Sequence, residues 1–275
     1  MVNNVPDTAE VSDPYFDAAL RWFEGASSIA QARSLIDGRI DEMALWQSFE
    51  GFGLAELLAD EPDATERARI VAGVGHAAGK RLYVGPLAAH AAAWKPGGAK
   101  QADGTVAGCQ DQPQPQWQLP MEDAALRTAE QQDLAVLCTC ARLLGAAQQV
   151  LALAIEHLAT RNQFGRPLAS FQALQHSTVD RHCDLVLAGA LLAQGVAHWA
   201  EPDLRRTALH AMKDMLSHTA VATAEHAVQM LGAMGFTHES DVGLYLRHTL
   251  VLAARHGTAA THRRAFTELE VDFLP

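Results

Sequence analysis

The sequence predicts an all-α protein whose C-terminal half is an antiparallel four-helix bundle, joined to a reduced N-terminal helical region. Three observations predict it. Hydrophobic residues make up 49% of the 275 residues but aromatics only 6%, so alanine and leucine must supply most of the packing, and both are strong helix formers. Long stretches beyond residue 122 repeat their apolar residues at three-then-four spacing. No segment alternates for long enough to build a sheet.

Along the chain, Ser12-Asp13-Pro14 starts the first helix, with Ser12 or Asp13 capping and Pro14 in the first turn. Residues 41–58 and 63–82 follow with helical spacing, separated by Asp60-Glu61-Pro62. The texture changes over residues 95–120. Pro96, Gly97, Gly98, Gly104, Gly108, Pro113, Pro115 and Pro120 stand there among glutamines, with little apolar content to offset ordering entropy. This stretch reads as a linker, with one short hairpin around Asp103-Gly104. The domains expected are therefore residues 1–94, a linker over 95–121, and a C-terminal domain over 122–275.

In the C-terminal domain, Leu134, Leu137, Ala141, Leu144, Leu151, Ile155 and Leu158 lie on one stripe of a first long helix. A second is expected over 171–199, a third over 204–230 ended by Gly232, and a fourth over 242–264. Short turns between them make an antiparallel bundle the expected architecture. The apolar run over 185–200 contains Gln194 and His198, is short for a membrane span, and reads as a buried helix.

Composition narrows the partners. A formal net charge of −11 argues against nucleic acid or an anionic membrane surface. Cys109, Cys138, Cys140 and Cys183 lack zinc-ligand spacing, and the first residues lack the basic and apolar regions of a signal peptide, so reduced thiols in the cytoplasm are expected. Glu156-His157 and Glu225-His226 are adjacent pairs whose side chains point apart on a helix, so no metal site is expected.

Two motifs stand out. Arg161-Asn162-Gln163-Phe164-Gly165-Arg166-Pro167-Leu168, continuing into Ala169-Ser170-Phe171, interrupts two long helical segments. Read from residue types alone it is a glycine–proline turn with a solvated arginine, or a corner that presents a cation and a ring together. Gln229-Met230-Leu231-Gly232-Ala233-Met234-Gly235-Phe236 is a glycine-terminated helix end, or a place where the main chain approaches a ligand closely.

Both motifs resemble acyl-CoA dehydrogenases, which carry Arg-x-Gln-Phe-Gly-x-Pro at the first corner and Gln-x-x-Gly-Gly-x-Gly-Phe at the second. The resemblance is strong over residues 122–264 and weak over 44–94. It implies an all-α C-terminal domain and FAD as cofactor. It also implies that Arg161 pairs with the FAD pyrophosphate, Phe164 packs on the cofactor, Gln163 touches it, and Leu168 and Phe171 line the same surface. Gln229, Gly232 and Ala233 join them, with Ala233 standing where the family has glycine.

The chain departs from the family in two places. About twenty residues beyond the second motif the family has Tyr-Glu-Gly-Thr, whose glutamate removes the substrate's α-proton. The sequence here is Arg255-His256-Gly257-Thr258, with His256 in the base position. His256 is then either a packed histidine or an alternative base, since imidazole titrates near neutrality. Other members place the base near residues 134–136, where this chain has no carboxylate. Glu130 and Asp133 lie earlier and read as solvated acids at a helix start. The second departure is the middle β-domain, for which residues 95–121 are too short.

In the family, each FAD lies between subunits. One subunit's middle domain and base serve the flavin end, and the other subunit's two motifs serve the rest. The resemblance therefore implies a heteromer like the heterotetrameric bacterial acyl-CoA dehydrogenases of steroid side chains. A full-length partner would supply the base for α,β-dehydrogenation of an acyl-CoA, with electrons passing to an electron-transfer flavoprotein. A catalytically inert scaffold and a self-sufficient flavoprotein using His256 are the competing readings.

Overall fold

The structure is a computed structural model that describes residues 13–26, 29–36, 39, 49, 51–85, 87, 128–237 and 239–271. Ser12, residues 41–48 and 50 of the helix expected over 41–58, the linker over 95–120, the hairpin at Asp103-Gly104 and the domain boundaries at 94/95 and 121/122 lie outside the described residues. In its described part the helix expected over 41–58 is interrupted, because Gly51–Gly53 form a turn with Gly53 in left-handed backbone at φ 77°, and a separate helix begins at Leu54.

The first helix, α1 (Pro14–Ala26), starts where Pro14 predicts. Asp13 caps it, its Oδ1 accepting from the Tyr15 N–H at 2.9 Å. Next come α2 (Ile29–Ile36), α3 (Leu54–Asp60) and α4 (Ala64–Lys80), the last capped by Asp63 through the Glu66 N–H at 2.9 Å. The long α5 (Ala129–Thr160) opens with a capping box between Thr128 and Gln131. A two-residue ladder, β1 (Asn162–Gln163) against β2 (Arg166–Pro167), follows it. Then come α6 (Gln172–Ala197) and α7 (Pro202–Leu231), the latter with proline at its start. The chain goes on through α8 (Asp241–Ala254) and α9 (Ala259–Val271).

Three further details differ from the sequence expectations. The helix expected over 242–264 is two helices, because Arg255–Thr258 forms a turn in which His256 and Gly257 have φ of 52° and 97°. The first long helix is not buried on one stripe. From Leu134 to Ala147 only Val136 is not fully buried, because α4 packs on one side of α5 while α6, α7 and α8 take the others. The apolar run over 185–200 is not buried all round. Leu185, Ala188, Leu192, Gly195 and Trp199 face the core, while Leu187 is 60% exposed and Val186 lies outward with it. It is α5 that is long and apolar enough to cross a membrane, and 83% of its apolar window is buried inside the fold.

Small residues set how α4 meets α5. A Cβ on Gly79 would run into the Arg142 carbonyl, and one on Gly145 into the His76 carbonyl, so the two backbones touch. Arg67 meets Glu130, Gly75 meets Cys138 and Gly79 meets Arg142, so residue numbers rise together and the helices run parallel. The buried Arg142 side chain reaches past the end of α4 and donates from Nη2 to the Tyr83 carbonyl at 2.8 Å. One apolar cluster consequently runs from Phe16, Phe23 and Phe49 through α4 and α5 to Leu209, Leu216 and Leu252. A smaller cluster joins Ala32 of α2 to Val150, Ala224, Val228, Val242 and Tyr245.

Candidate functional site

The short connections place the two motifs at one end of the bundle. The helix α5 ends at Thr160 and α6 begins at Gln172, so the first motif joins them there. The antiparallel α7 returns to the same end, as Gly195 near the far end of α6 packs on Met212 early in α7. The second motif therefore follows Leu231 at that end, before α8 starts.

In the first motif, Phe164 and Gly165 are the central residues of a two-residue hairpin turn, with φ of 55° and 79°. Positive φ at both centres defines a type I′ turn, which suits the twist of the flanking strands. Glycine adopts it freely. A phenylalanine does so at a cost of about 1–2 kcal/mol, and here burial does not offset it, since the ring is 87% exposed. The Arg161 N–H donates to the His157 carbonyl, and its own carbonyl accepts from Leu168 at 2.9 Å, so the backbone of Arg161 closes the hairpin. Its side chain is exposed, and no carboxylate among the described residues pairs with it. Phe171 stands edge-on to Phe164 at 6.1 Å, and the Arg166 guanidinium lies over the Phe171 ring at 4.0 Å. Gln163 is exposed and Leu168 half-buried beside them.

In the second motif, residues Gly232–Phe236 form a short 3-10 segment. Gly232 has φ 59° and ψ −136°, a conformation reserved for glycine, and a Cβ there would meet none of the described residues within 4 Å. Gln229, Gly232 and Ala233 are exposed, as is Phe236 at 77%. Gly235 by contrast is buried, and a Cβ on it would strike the Val228 carbonyl.

The turn at the base position lies elsewhere. It follows α8, whose 14 residues carry the chain about 20 Å from the motif end. His256 is half-buried, and its carbonyl accepts from His262 Nε2 at 2.8 Å. With that bond made, His262 Nδ1 is left to accept from His210 Nδ1 at 3.0 Å. Burial, and then the proximity of the two rings, lowers the His210 pKa. Burial also lowers that of His262. The next carbonyl, that of Gly257, accepts from Lys213 Nζ at 3.1 Å. Lys213 is 0% exposed and donates also to the Ala253 carbonyl at 2.8 Å and to Ser217 Oγ at 3.0 Å. All three of its donors are used. Burial pushes its pKa down.

Sequence reasoning missed Lys213. The signal was present, since Lys213 shares a helical stripe with Leu209, Leu216 and Ala220, which bury it. It also misjudged two acids. Glu130 and Asp133 are not simply solvated: Glu130 pairs with Arg67 at 2.7 Å and Asp133 with Arg205 at 3.0 Å. Burial raises the Asp133 pKa, against the pull of Arg205.

Residues 130–268 match the model of the acyl-CoA dehydrogenase C-terminal domain. The chain belongs to the acyl-CoA dehydrogenase family. It is 34% identical over 127 residues to acyl-CoA dehydrogenase IpdE2 of Mycobacterium tuberculosis, a stretch covering 46% of this chain and 36% of that one. A 3-sulfinopropanoyl-CoA desulfinase of Variovorax paradoxus is also 34% identical, over 117 residues, covering 42% of this chain and 29% of its own. The matched stretch thus spans about a third of the length of these curated relatives. Their names differ in reaction at equal identity, so family membership does not by itself fix the chemistry. A solved structure of a variant of the Tcur3481-Tcur3483 steroid ACAD shares the fold. It has a TM-score of 0.72 at 18% identity and covers 94% of this chain and 97% of that one.

The motif end fits the cofactor expected of the family. A planar cation without a carboxylate partner suits a pyrophosphate. An exposed ring suits stacking or packing, and the backbone at Gly232 and Ala233 can be approached with at most a methyl group in the way.

Proposed function

We propose that this chain is the short subunit of an FAD-dependent acyl-CoA dehydrogenase and completes the FAD site of a full-length partner subunit. What carries the reading is the pairing, at one exposed end of the bundle, of the unpaired Arg161 and strained Phe164 with the open backbone of Gly232 and Ala233. The base position meanwhile holds His256 about 20 Å away. Arg161 binds the pyrophosphate, Phe164 and Phe171 pack on the cofactor, and Gln163, Leu168 and Gln229 border it. FAD, when bound, supplies the hydride acceptor for α,β-dehydrogenation of an acyl-CoA thioester. The partner supplies the carboxylate base and the flavin cradle, and an electron-transfer flavoprotein takes up the electrons. The steroid ACAD fold neighbour favours a bulky acyl group as substrate.

Purification alone and together with a full-length acyl-CoA dehydrogenase subunit tests this. The complex is expected to be yellow, absorbing near ~450 nm as bound flavin does, while the chain alone is colourless. A yellow, active homodimer would transfer the chemistry to His256. A colourless, stable complex would make the chain a scaffold.

A further inference from the structure

We propose that Arg33, on the N-terminal helix α2, is a positioning residue for the connection that presents Gly232, Ala233 and Phe236 to FAD. The inference rests on the reading that this end of the bundle holds a partner's cofactor. Its own observation is separate. Arg33 Nη2 donates to the Glu239 carbonyl at 2.8 Å and to Asp241 Oδ1 at 2.6 Å, reaching from α2 to the end of the connection between α7 and α8.

That connection is fixed at its start, where Gly235 sits against Val228. Beyond it, the bonds from the Thr237 N–H to Met234 and from the Ser240 N–H to Thr237 are internal. Internal bonds keep the shape of a segment but not its place. Arg33 fixes its place, because α2 is itself seated. Ala32 is buried against the cluster that holds Val228, Val242 and Tyr245. Asp241 is well chosen as an anchor: it stands in the first turn of α8, where the helix dipole favours a negative charge, and a bond between two charged groups is stronger than a neutral one. Phe236, which follows that fixed start and is 77% exposed, then keeps its position relative to Arg161, held at both ends of the connection.

The experiment compares Arg33→Ala, Arg33→Lys, Asp241→Asn and Arg161→Ala in the complex with a full-length subunit, reading FAD dissociation constants by fluorescence. Amide exchange over residues 234–240 is followed in the chain alone. Arg33→Ala is expected to weaken FAD about tenfold and speed exchange of those amides, with partial recovery in Arg33→Lys. Asp241→Asn is expected to fall between them. A purely structural Arg33 would lower the melting temperature and leave both FAD affinity and exchange unchanged, which overturns the inference. If Arg161→Ala strips FAD while none of the Arg33 and Asp241 variants moves it, only the positioning role is lost. If Arg161→Ala also leaves FAD in place, the cofactor reading falls and the positioning role with it. Should Arg33→Ala fail to fold, Arg33→Lys and Asp241→Asn still decide the question.

Discussion

The two ends of α8 are built on opposite plans. At its start, the hairpin and the 3-10 segment leave an arginine unpaired, a phenylalanine in left-handed backbone and 87% exposed, and a second phenylalanine 77% exposed. At its end, a turn with similarly rare backbone angles is tied down from within, its successive carbonyls held by His262 and Lys213. Strain that is satisfied internally serves the fold. Strain that is left facing solvent is what the proposed contact with a partner's FAD would use. One end of α8 is open to solvent, and the other is a turn that the helical bundle has closed over.

The largest expected effect is on the tied turn. Lys213→Met should lower unfolding free energy by about 3 kcal/mol, because it leaves two part-buried carbonyls and a buried hydroxyl without their donor. Urea denaturation measures it, and FAD retention by the complex should persist. A loss of FAD without a loss of stability would merge the two ends into one site. Arg161→Ala reverses the pattern, with about a hundredfold weaker FAD in the complex and chain stability within ~0.5 kcal/mol of the parent. Equilibrium dialysis and thermal melts separate the two.

A pH titration of stability should also mark the closed side. Burial holds His248 neutral, helped by the nearby charges of Arg142 and Arg255, and its pKa lies well below the ordinary 6.5. Above that value the folded and unfolded chains bind the same protons there. As pH falls below it, the unfolded chain takes up a proton that the fold excludes, so stability drops by about 1.4 kcal/mol per pH unit for this ring until its folded pKa is reached. The lowered pKa of His262 adds in the same direction. A flat urea midpoint between pH 7 and pH 5.5 would contradict the buried, neutral assignment.

Two smaller effects sharpen the contrast. Phe164→Asn creates the Asn-Gly pair favoured in type I′ turns, so the chain alone should gain about 0.5–1 kcal/mol while the complex loses FAD affinity. Stability gained together with affinity kept would remove the case for functional strain. His256→Ala should change turnover of the complex less than about twofold, since a general base contributes at least a hundredfold. A large rate loss with FAD still bound would make His256 catalytic.

Much of this was legible in the sequence wherever the signal is local. The ends of α4, α6 and α7 fall within two or three residues of the expected ones, because Asp63, Pro202 and Gly232 are capping residues or breakers acting on their neighbours. The hairpin motif likewise sits where its glycine and proline put it. What was not legible is what depends on distant packing. The all-round burial of α5 needs α4, and the ion pairs of Glu130 and Asp133 need Arg67 and Arg205 from other helices. The exposed side of α6 is apolar for reasons its own periodicity does not contain. The break at Arg255–Thr258 could have been read. Gly257 followed by Thr258 is a stop and a start, and Thr258 Oγ1 does accept from the Thr261 N–H at 3.3 Å.

The parallel contact of α4 with α5 bears on how the chain is born. Among the described residues, the face of α4 that carries Gly75 and Gly79 has its backbone partners in Cys138, Arg142 and Gly145. At a synthesis rate of ~5–20 residues per second, that face waits about 3–13 s for its partner to be made. During that interval the apolar face of α4, with its bare backbone groove, is exposed to the cell, so the yield of this chain should depend on chaperone capacity more than its finished stability would suggest.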